Sequence, residues 1–424
     1  MLDRKYVVEN FELIKQNCAN RGVRADLDRV VELESRRKAC QLEVDQLNRQ
    51  ANEVSKSIGK AKDAAEREAR KEEGRRLRER TTTAQAEMNR VAEELDRVLR
   101  SIPNMTHPAA PIGMEPVEVA RGKTPVPQFD FKPLDHVEIG EKLNLMDLES
   151  AARVAGHGFY FLKNEAVLLE LALQRYAMEV LSSEGFTLTT TPDLARNEIL
   201  EGIGFIPRGP ETQIYSVEGT DLSLVATAEI TLGGMLSGQV LDVEQLPMKI
   251  CGVSHCFRTE AGAHGRQTRG LFRVHQFTKV EMFAFTRPEE SDAMLEYLRG
   301  IECRIFDGLG LPYRVIDTPS GDLGGPAYRK YDLEAWMPGR GEFGEVTSTS
   351  NCTDYQARRL NIRYRVKGEK GTHFVHTLNG TAVAISRALV AILENYQQSD
   401  GSVAIPEVLR PVVGKDRIQV PASP

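Results

Sequence analysis

The sequence of 424 residues has few cysteines, no long apolar run and no P-loop, and each absence excludes a class of protein. Its six cysteines form neither a CxxC pair nor a regular framework, so a disulfide scaffold is not expected. Its longest apolar runs fall well short of the roughly 20 residues that a membrane helix requires, so no membrane association is expected. The motif GxxxxGKS/T is absent, which argues against a P-loop nucleotide site.

The composition is that of an ordinary globular protein, with 41% apolar and 27% charged residues and a net charge of −6. The length predicts two or three domains. The N-terminal residues MLDRKYVVENFE mix acids with bases and contain no apolar core, so we expect no secretory signal. Cys251, His255 and Cys256 lie too close together on one short predicted strand to converge on a tetrahedral metal. We therefore predict reduced thiols, no structural zinc and a cytoplasmic protein.

A heptad pattern dominates the N-terminal quarter of the chain, after a short helix and a turn at Arg21-Gly22. Two apolar runs with spacings of three and four residues are separated near Gly59, and Pro103 closes the second run. The pattern predicts two long helices folded into an antiparallel coiled-coil hairpin, about 45 Å long at about 1.5 Å per residue. The seam positions are Val30, Leu33, Arg37, Cys40, Val44, Leu47, Ala51, Val54 and Ile58, then Leu77, Ala84, Met88, Val91, Leu95, Val98 and Ile102.

The tip of this hairpin is basic. Residues 56–80 contain ten Lys or Arg and six Asp or Glu, a net charge of +4 within a chain of net charge −6. A basic tip on an otherwise acidic protein is typical of a nucleic-acid-binding finger, with Arg75, Arg76 and Arg78 as candidate contacts. The alternative is a dimerisation or solvated coiled coil whose charges only keep it soluble.

A proline-rich segment, residues 103–134, separates the hairpin from the rest of the chain and is predicted to be a linker. From residue 135 onward, strand patterns outnumber the helices that could cross between them. This predicts an α+β domain with a largely antiparallel sheet. Besides a central hairpin, the predicted helices span residues 166–183, 289–309 and 382–396, and the predicted strands span residues 186–191, 222–226, 313–317, 330–335 and 343–350.

The central hairpin begins KICGVSHCFRTE and ends FTKVEMFAF. Its two apolar strands enclose a glycine- and arginine-rich loop, a shape suited to gripping a polyanion. Alternation places Phe277, Lys279 and Glu281 on one face of the second strand, where a lone acid needs a partner or a ligand cation. The alternative is that Arg258, Glu260 and Glu281 form internal ion pairs that brace the strands. The loop residues in question are Gly262, Gly265, Arg266, Arg269, Gly270 and Arg273.

Three signatures in this part of the chain resemble those of class II aminoacyl-tRNA synthetases. GFTLTTTP resembles the first motif, FRTE with a variable loop and a following phenylalanine resembles the second, and GTAVAISR on the last helix resembles the third. With the N-terminal hairpin, TAE, EVTS and TLNGT, they make the whole chain similar to the seryl-tRNA synthetase family. One departure is Ala382, which stands where the class often has a second glycine in the third motif.

The resemblance implies two domains and an activity. Residues 1–102 would form a tRNA-binding domain with an arm from about residue 27, and residues 135–424 would form a class II catalytic domain whose mostly antiparallel sheet is flanked by helices. The implied activity is an ATP-dependent ligation of serine to its tRNA through seryl-adenylate. Arg258 and Arg387 are the implied catalytic residues: Arg258 would bridge the α-phosphate and the serine carboxylate, and Arg387 would hold the distal phosphate.

The resemblance also implies which side chains bind the ligands. Phe277 would stack under adenine, Glu260 would receive its amino group, and Glu345 with Ser348 would ligate Mg²⁺ through oxygen. The implied ATP-binding residues are Arg258, Thr259, Glu260, Arg273, Val274, Phe277, Glu345, Val346, Thr347, Ser348 and Arg387. The implied serine-binding residues are Thr227, Ala228, Glu229, Arg258, Glu281 and Thr381. A site built to bond the serine hydroxyl would reject alanine strongly.

The implied partners are a second copy of the chain, joined through the first motif, and serine tRNA, whose long variable arm the coiled coil would grip by shape and phosphate contacts. Selenocysteine tRNA would be a further substrate where the host has one. Two alternatives come from other classes of protein. A relative that loads a carrier protein would be expected to lack the long arm, and a non-catalytic RNA-binding paralogue would have lost the phosphate-binding arginines or the metal ligands.

Overall fold

The computed structural model describes residues 1–205, 213–260 and 269–421. The predicted loop residues Gly262, Gly265 and Arg266 lie outside the described residues. The chain divides into two compact units, Met1–Pro103 and Asn104–Pro424. None of the helices in the described ranges combines the length and the hydropathy of a membrane-spanning segment.

The first unit is built from helices: α1 (Arg4–Glu9), α2 (Phe11–Asn20), α3 (Leu27–Ile58) and α4 (Ala64–Ser101). An aspartate caps the N-terminus of each long helix by accepting a main-chain hydrogen bond. Ion pairs join α3 to α4, Arg29 to Glu94 and Arg36 to Glu87. Moving forward along α3 moves the partner backward along α4, as antiparallel helices require. The predicted coiled-coil hairpin is therefore confirmed.

Apolar seam residues hold this hairpin together, and its basic residues lie on the surface. The buried seam residues are Val30, Leu33, Val44, Leu47, Leu77, Val91 and Leu95. The side chains of Arg75, Arg76 and Arg78 are exposed. Arg75 and Arg76 approach Glu72 at 3.2 and 3.4 Å, which for exposed groups contributes little to stability.

The second unit mixes helices and strands. The helices are α5 (His136–Lys142), α6 (Leu148–Ala155), α7 (Glu165–Ser183), α8 (Asn197–Ile203), α9 (Ala228–Gly234), α10 (Ser291–Gly308), α11 (Tyr355–Leu360), α12 (Ile385–Asn395) and α13 (Arg410–Val413). The strands are β1 (Val117–Arg121), β2 (Met146–Asp147), β3 (Phe161–Leu162), β4 (Thr187–Thr190), β5 (Leu194–Arg196), β6 (Leu222–Leu224), β7 (Val240–Asp242), β8 (Met248–Phe257), β9 (Gln276–Thr286), β10 (Tyr313–Asp317), β11 (Arg329–Met337), β12 (Glu342–Asn351), β13 (Arg363–Arg365), β14 (His373–Phe374), β15 (His376–Ala384), β16 (Val403–Ala404) and β17 (Arg417–Ile418).

Eight of these strands form one sheet in the order β1-β10-β11-β12-β15-β9-β8-β4. Neighbouring strands are antiparallel except for β4 and β8, which are parallel. Strand β9 lies near the centre and alternates as predicted. Val280, Met282 and Ala284 pack into a core with α7, α10 and α12, whereas Phe283 and Phe285 pack into a second core with α8, α9 and α11. The predicted α+β fold with a mostly antiparallel sheet is confirmed.

Three boundaries differ from the predictions. The predicted linker contains strand β1, whose residues pair with β10 at the edge of the large sheet. The predicted helix at 382–396 begins only at Ile385, because Val383 and Ala384 still pair with β9 and this tertiary pairing overrides the apolar pattern. Strand β8 ends at Phe257, and Glu260 has a positive φ of 50°, so Arg258 and Glu260 lie beyond the strand rather than on one of its faces.

Two strands of the large sheet contain a β-bulge, an extra residue opposite a regular partner strand. In β12, Thr347 pairs with Leu333 and Glu345 pairs with Glu334, so Val346 is the extra residue. In β15, Thr381 pairs with Glu281 and Val383 pairs with Val280, so Ala382 is the extra residue. Because side chains alternate along a regular strand, residues three apart face opposite sides, but across a bulge they face the same side.

Candidate active site

A cleft of about 480 Å³ opens where β9, β12 and β15 meet the start of α12. Eleven of the residues implied by the resemblance line it: Arg258, Glu260, Arg273, Val274, Phe277, Glu345, Val346, Thr347, Ser348, Thr381 and Arg387. Phe272, Lys279, Ala384 and Ser386 complete the lining. Residues that are distant in the sequence are therefore brought together at one site.

Three arginines surround the cleft, each held differently. Arg258 donates from Nε to the carbonyl of Ala226 at 3.3 Å, and its guanidinium lies 5.3 Å from the centre of the Phe277 ring. Arg273 donates to the Glu260 carboxyl at 2.7 Å. The structural alternative, in which Arg258, Glu260 and Glu281 pair with one another, does not describe these contacts, because the ion-pair partner of Glu260 is Arg273.

The third arginine, Arg387, lies in the first turn of α12 and contacts two neighbouring elements. Its Nε donates to the carbonyl of Phe272 at 3.2 Å, and its guanidinium lies 4.9 Å from the centre of the Phe272 ring. It also approaches the carboxyl of Glu345 at 3.3 Å. Burial lowers the pKa of Arg387, and Glu345 partly opposes this. The guanidinium is thus fixed by a carbonyl, a ring and a carboxyl before any ligand arrives.

The bulge at Val346 determines how β12 contributes to the cleft. Glu345 and Ser348 are three residues apart, yet both line the cleft because the extra residue shifts the alternation. Burial would raise the pKa of Glu345, but Arg387 and then Lys330 outweigh it, so the pKa is lowered. A carboxylate and a hydroxyl on one face are hard oxygen donors of the kind that Mg²⁺ takes. The residues present therefore fit the implied ion.

In the described ranges, no group of three or more His, Cys, Asp or Glu could hold a metal by itself. A site at Glu345 and Ser348 would thus contain one carboxylate and one hydroxyl from the protein. Such a site resembles the usual Mg²⁺ site, which keeps water and substrate phosphate among its ligands.

A buried ion pair lies directly behind the cleft. Lys279 Nζ is 2.6 Å from Glu281 Oε2 and 3.1 Å from the hydroxyl of Thr227. The hydroxyl of Thr381 donates to the same carboxyl oxygen of Glu281 at 3.3 Å. Burial raises the pKa of Glu281, and Lys279 opposes this. Of the implied serine-binding residues, Thr227 and Glu281 thus lie one hydrogen bond behind the lining, through Lys279 and Thr381.

A second carboxyl group, Glu229 in the first turn of α9, lies near this pair. Its Oε1 accepts hydrogen bonds from Gln356 Nε2 at 2.8 Å and from Asn379 Nδ2 at 3.0 Å. Burial, and then the negative charge of Glu281, raise the pKa of Glu229 to about 7. This makes Glu229 a carboxyl group that can change its protonation state near neutral pH.

Two implied residues contribute through their position in the chain. The side chain of Ala228 is fully buried, and Thr259 donates its main-chain N–H to the carbonyl of Gln213 at 3.1 Å. Ala382, the departure from the class pattern, is buried in the core among apolar residues and does not line the cleft. Its methyl group therefore takes no space from a ligand there.

Sequence reasoning missed four residues that shape the site: Lys279, Phe272, Gln356 and Asn379. Lys279 could have been found, because it is two residues from Glu281 on the same face of a strand. Asn379 lies in the quoted TLNGT segment, but no pattern relates it to Glu229. The approach of Phe272 to Arg387 is visible only in three dimensions.

Comparison with known proteins follows this geometry closely. The sequence profile of the seryl-tRNA synthetase N-terminal domain matches residues 1–106, and that of the tRNA synthetase class II core domain (G, H, P, S and T) matches residues 214–396. The serine–tRNA ligases of Rhodopirellula baltica and Rubrobacter xylanophilus are 61% and 56% identical to this chain, over 98% and 99% of it and 99% of each relative.

Solved structures agree with these matches. The crystal structure of seryl-tRNA synthetase from Pyrococcus horikoshii complexed with ATP has a TM-score of 0.91 at 40% identity and covers 100% of both chains. That of cytoplasmic serine–tRNA ligase from Naegleria fowleri in complex with AMP has a TM-score of 0.82 at 34% identity, over 96% of this chain and 95% of that one.

The antiparallel sheet, its arginine-lined cleft and the matching core profile define a class II aminoacyl-tRNA synthetase. The identity over nearly the full length of the relatives is narrower. It shows that the chain belongs to the seryl-tRNA synthetase family, and its activity is the ATP-dependent ligation of serine to tRNA. Carrier-protein loading and a non-catalytic RNA-binding role are thereby set aside.

Proposed function

We propose that the cleft binds ATP and serine side by side, with Arg258 and Arg387 as the catalytic cations. The observation that carries this proposal is the convergence of Arg258, Arg273 and Arg387 on one cleft whose lining includes the ring of Phe277. The first chemical step brings a serine carboxylate to an anionic phosphate. Cations that are already in position lower that repulsion without rearranging during the reaction.

In the first step, a carboxylate oxygen of serine forms a bond to the α-phosphorus of ATP, and the bond from that phosphorus to the bridging oxygen breaks. Pyrophosphate leaves with the electron pair, and seryl-adenylate remains. Arg258 bridges the two reacting anions with its planar, bidentate guanidinium. Arg387 holds the distal phosphate, and Phe277 stacks on adenine. The remaining ATP contacts are Thr259, Glu260, Arg273, Val274, Glu345, Val346, Thr347 and Ser348.

Glu345 and Ser348 would hold Mg²⁺, which when bound would neutralise charge on the phosphates. The fit of the two oxygen donors, brought to one face by the bulge at Val346, supports this assignment.

Serine binds at the buried end of the site, beside Thr227, Ala228, Glu229, Glu281 and Thr381. Carboxyl groups can accept hydrogen bonds from both the ammonium and the hydroxyl group of serine. The support for this position is that Glu281 and Thr381 already form a hydrogen-bonded network with Lys279 next to the cleft. A polar network of this kind is left with unpaired groups when alanine enters, so selectivity against alanine is expected.

In the second step, the 3′ hydroxyl of the terminal ribose of tRNA attacks the serine carbonyl carbon and AMP leaves. We propose that residues 1–102 bind tRNA, with Arg75, Arg76 and Arg78 near its phosphates, that residues 103–134 connect the domains and that residues 135–424 catalyse both steps. The net charge of +4 over residues 56–80 supports binding of the long variable arm of serine tRNA. The same arm would accept selenocysteine tRNA where the host has one.

The protein is further proposed to be a cytoplasmic homodimer in which each arm serves the partner's active site. All six cysteines are free thiols, which suits a reducing compartment. Apolar side chains on one face of α7 and on the outer strand β4 are exposed: Val167 by 40%, Leu168 by 37%, Leu171 by 52% and Leu188 by 45%. A second copy would cover this face and the open strand edge.

The decisive experiment compares Arg258→Ala and Arg258→Lys by serine-dependent exchange of pyrophosphate into ATP. The alanine variant is expected to lose about 10²–10³-fold in exchange, the usual effect of removing one fixed stabilising group. Lysine should rescue poorly, because a point charge cannot bridge two anions as a fork does. Arg299→Ala is the matched control, since Arg299 also pairs with an acid and stacks on a ring but does not line the cleft.

All three variants should keep the thermal unfolding midpoint and the sedimentation coefficient of the wild type. Near-normal exchange by Arg258→Ala would refute its catalytic assignment. An unfolded Arg258→Ala beside a folded Arg299→Ala would instead assign Arg258 a structural role.

A further inference from the structure

A buried histidine, His136 at the start of α5, links the chain that follows the variable loop to helix α12. Its Nε2 accepts a hydrogen bond from the main-chain N–H of Leu271 at 3.1 Å, and its Nδ1 lies 2.8 Å from Oε1 of Glu394. Because Nε2 accepts a hydrogen bond, it carries no proton, so the ring proton is on Nδ1 and is donated to Glu394.

Glu394 is a rigid base for this link. Its side chain is fully buried in α12 and accepts three hydrogen bonds. Besides the ring of His136, the donors are the main-chain N–H of His136 at 3.0 Å and that of Gly339 at 2.8 Å. A buried carboxyl group with this many donors is costly to disturb, so the position of the ring is well determined.

The chain at residues 270–271 approaches the ring closely. Gly270 has a φ of +70°, and a Cβ there would lie 2.1 Å from Nε2 of His136 and 2.6 Å from the Val137 side chain. Only glycine fits this conformation and this space. The neighbouring Arg269 also pairs with Asp135, the N-cap of α5, at 3.1 Å. The end of the loop is therefore docked on the start of α5.

This docking leads directly to a cation of the cleft. Leu271 is followed by Phe272, whose carbonyl accepts the hydrogen bond from Arg387 and whose ring lies under its guanidinium. Arg387 and Glu394 belong to the same helix, two turns apart. Residues 271–272 are thus held at both ends of α12, directly by Arg387 and through His136 by Glu394.

We propose that His136 is a positioning residue for ATP: by fixing the Leu271 N–H, it holds Phe272 in place and thereby orients Arg387 in the cleft. This inference rests on the proposal that Arg387 binds an ATP phosphate. His136 touches neither ATP nor serine, and it acts through Leu271 and Phe272. Its influence is therefore on the ATP side of the site, away from Glu281 and Thr381.

Two substitutions separate the two hydrogen bonds of the ring. In His136→Gln the amide oxygen can take the place of Nε2 and accept from Leu271, whereas in His136→Asn the shorter amide can donate only to Glu394. His136→Asn should raise the KM for ATP about three- to tenfold, the effect of one lost hydrogen bond, and leave the KM for serine unchanged. His136→Gln should restore most of the ATP affinity.

Gln397→Ala is the matched control, because Gln397 fixes the same entrance to α5 from the same end of α12 but does not touch the loop. Its side chain accepts from the main-chain N–H of Leu134 at 2.8 Å and donates to the carbonyl of Leu134 at 3.0 Å. The control should lower the unfolding midpoint and keep the KM for ATP. The measurements are pyrophosphate exchange with each substrate varied, and the thermal unfolding midpoint of each full-length variant.

The outcomes distinguish this inference from the proposed function. If Arg387→Ala leaves the KM for ATP unchanged, the assignment of Arg387 is wrong and this inference falls with it. If Arg387→Ala raises that KM but His136→Asn does not, only the inference is overturned. Equal rises in His136→Asn and Gln397→Ala, or equal effects on ATP and serine, would mean that His136 only stabilises the fold.

Discussion

The protonation state of Glu229 should make the stability of the protein fall as the pH rises toward neutrality. In the folded chain the carboxyl group is surrounded by Gln356, Asn379 and the charge of Glu281, and its pKa is raised from 4.5 to about 7. Between these two values the folded state holds the proton and the unfolded state has released it. Raising the pH therefore favours the unfolded state, the reverse of the usual behaviour of a carboxyl group in an ion pair.

The size of the effect follows from the same two values. A shift of one pKa unit is equivalent to about 1.4 kcal/mol, so a rise from 4.5 to about 7 corresponds to roughly 3 kcal/mol. The residue is only partly buried by its accessible surface, so about 2–3 kcal/mol is the expected loss between about pH 5 and about pH 8. Glu229→Gln keeps an acceptor for both amides and removes the titration, so the variant should lack this loss.

The assay is urea unfolding of the wild type and Glu229→Gln at a series of pH values, with the difference in unfolding free energy taken at each pH. Other titrating groups contribute equally to both proteins and cancel in this difference. The variant should gain stability relative to the wild type as the pH rises through this window. A difference that stays constant with pH, or that changes in the opposite direction, would refute the reasoning about Glu229.

Three further predictions concern serine, tRNA and the bulge. Glu281→Gln, which leaves Lys279 without its buried partner charge, should weaken serine by about 1–3 kcal/mol, or roughly 5- to 150-fold in KM, and ATP far less; equal losses for both would indicate a collapsed site. Reversing Arg75, Arg76 and Arg78 to glutamate should weaken tRNA charging and flatten its salt dependence by roughly one unit per lost phosphate contact, while pyrophosphate exchange persists; loss of exchange would show that the arm is needed for adenylate formation. Ala382→Gly should cost about 0.5–1 kcal/mol in thermal unfolding and leave the KM for ATP unchanged, whereas a lower KM would show that the methyl group reaches the cleft.

Much of the architecture could be predicted because it depends on local periodicity. The heptads of the hairpin and the alternation along β9 are visible in the sequence, and the structure has both. The start of α12 could not be predicted this way, because Val383 and Ala384 suit a helix as well as a strand and only pairing with β9 decides between them. Strand β1 was hidden for a similar reason, since it lies in a proline-rich segment and forms by pairing with β10.

The candidate site was predictable as a set of residues but not as a network. The family resemblance led to Arg258, Arg387 and Glu281, because these are parts of recognisable motifs. It did not lead to Lys279, the ion-pair partner of Glu281, or to His136, which no motif marks. Partners of this kind are specified by contacts between distant segments, which periodicity and motif spacing do not record.

The bulges at Val346 and Ala382 act on their strands as a frameshift acts on a reading frame. Each inserts one residue, after which odd and even positions exchange their assignment to cleft and core. A sequence comparison that treats the strand as regular would therefore misassign every position beyond the insertion. Transplanting this cleft onto another antiparallel sheet would require both extra residues along with the functional side chains. Without them, Ser348 would face away from Glu345.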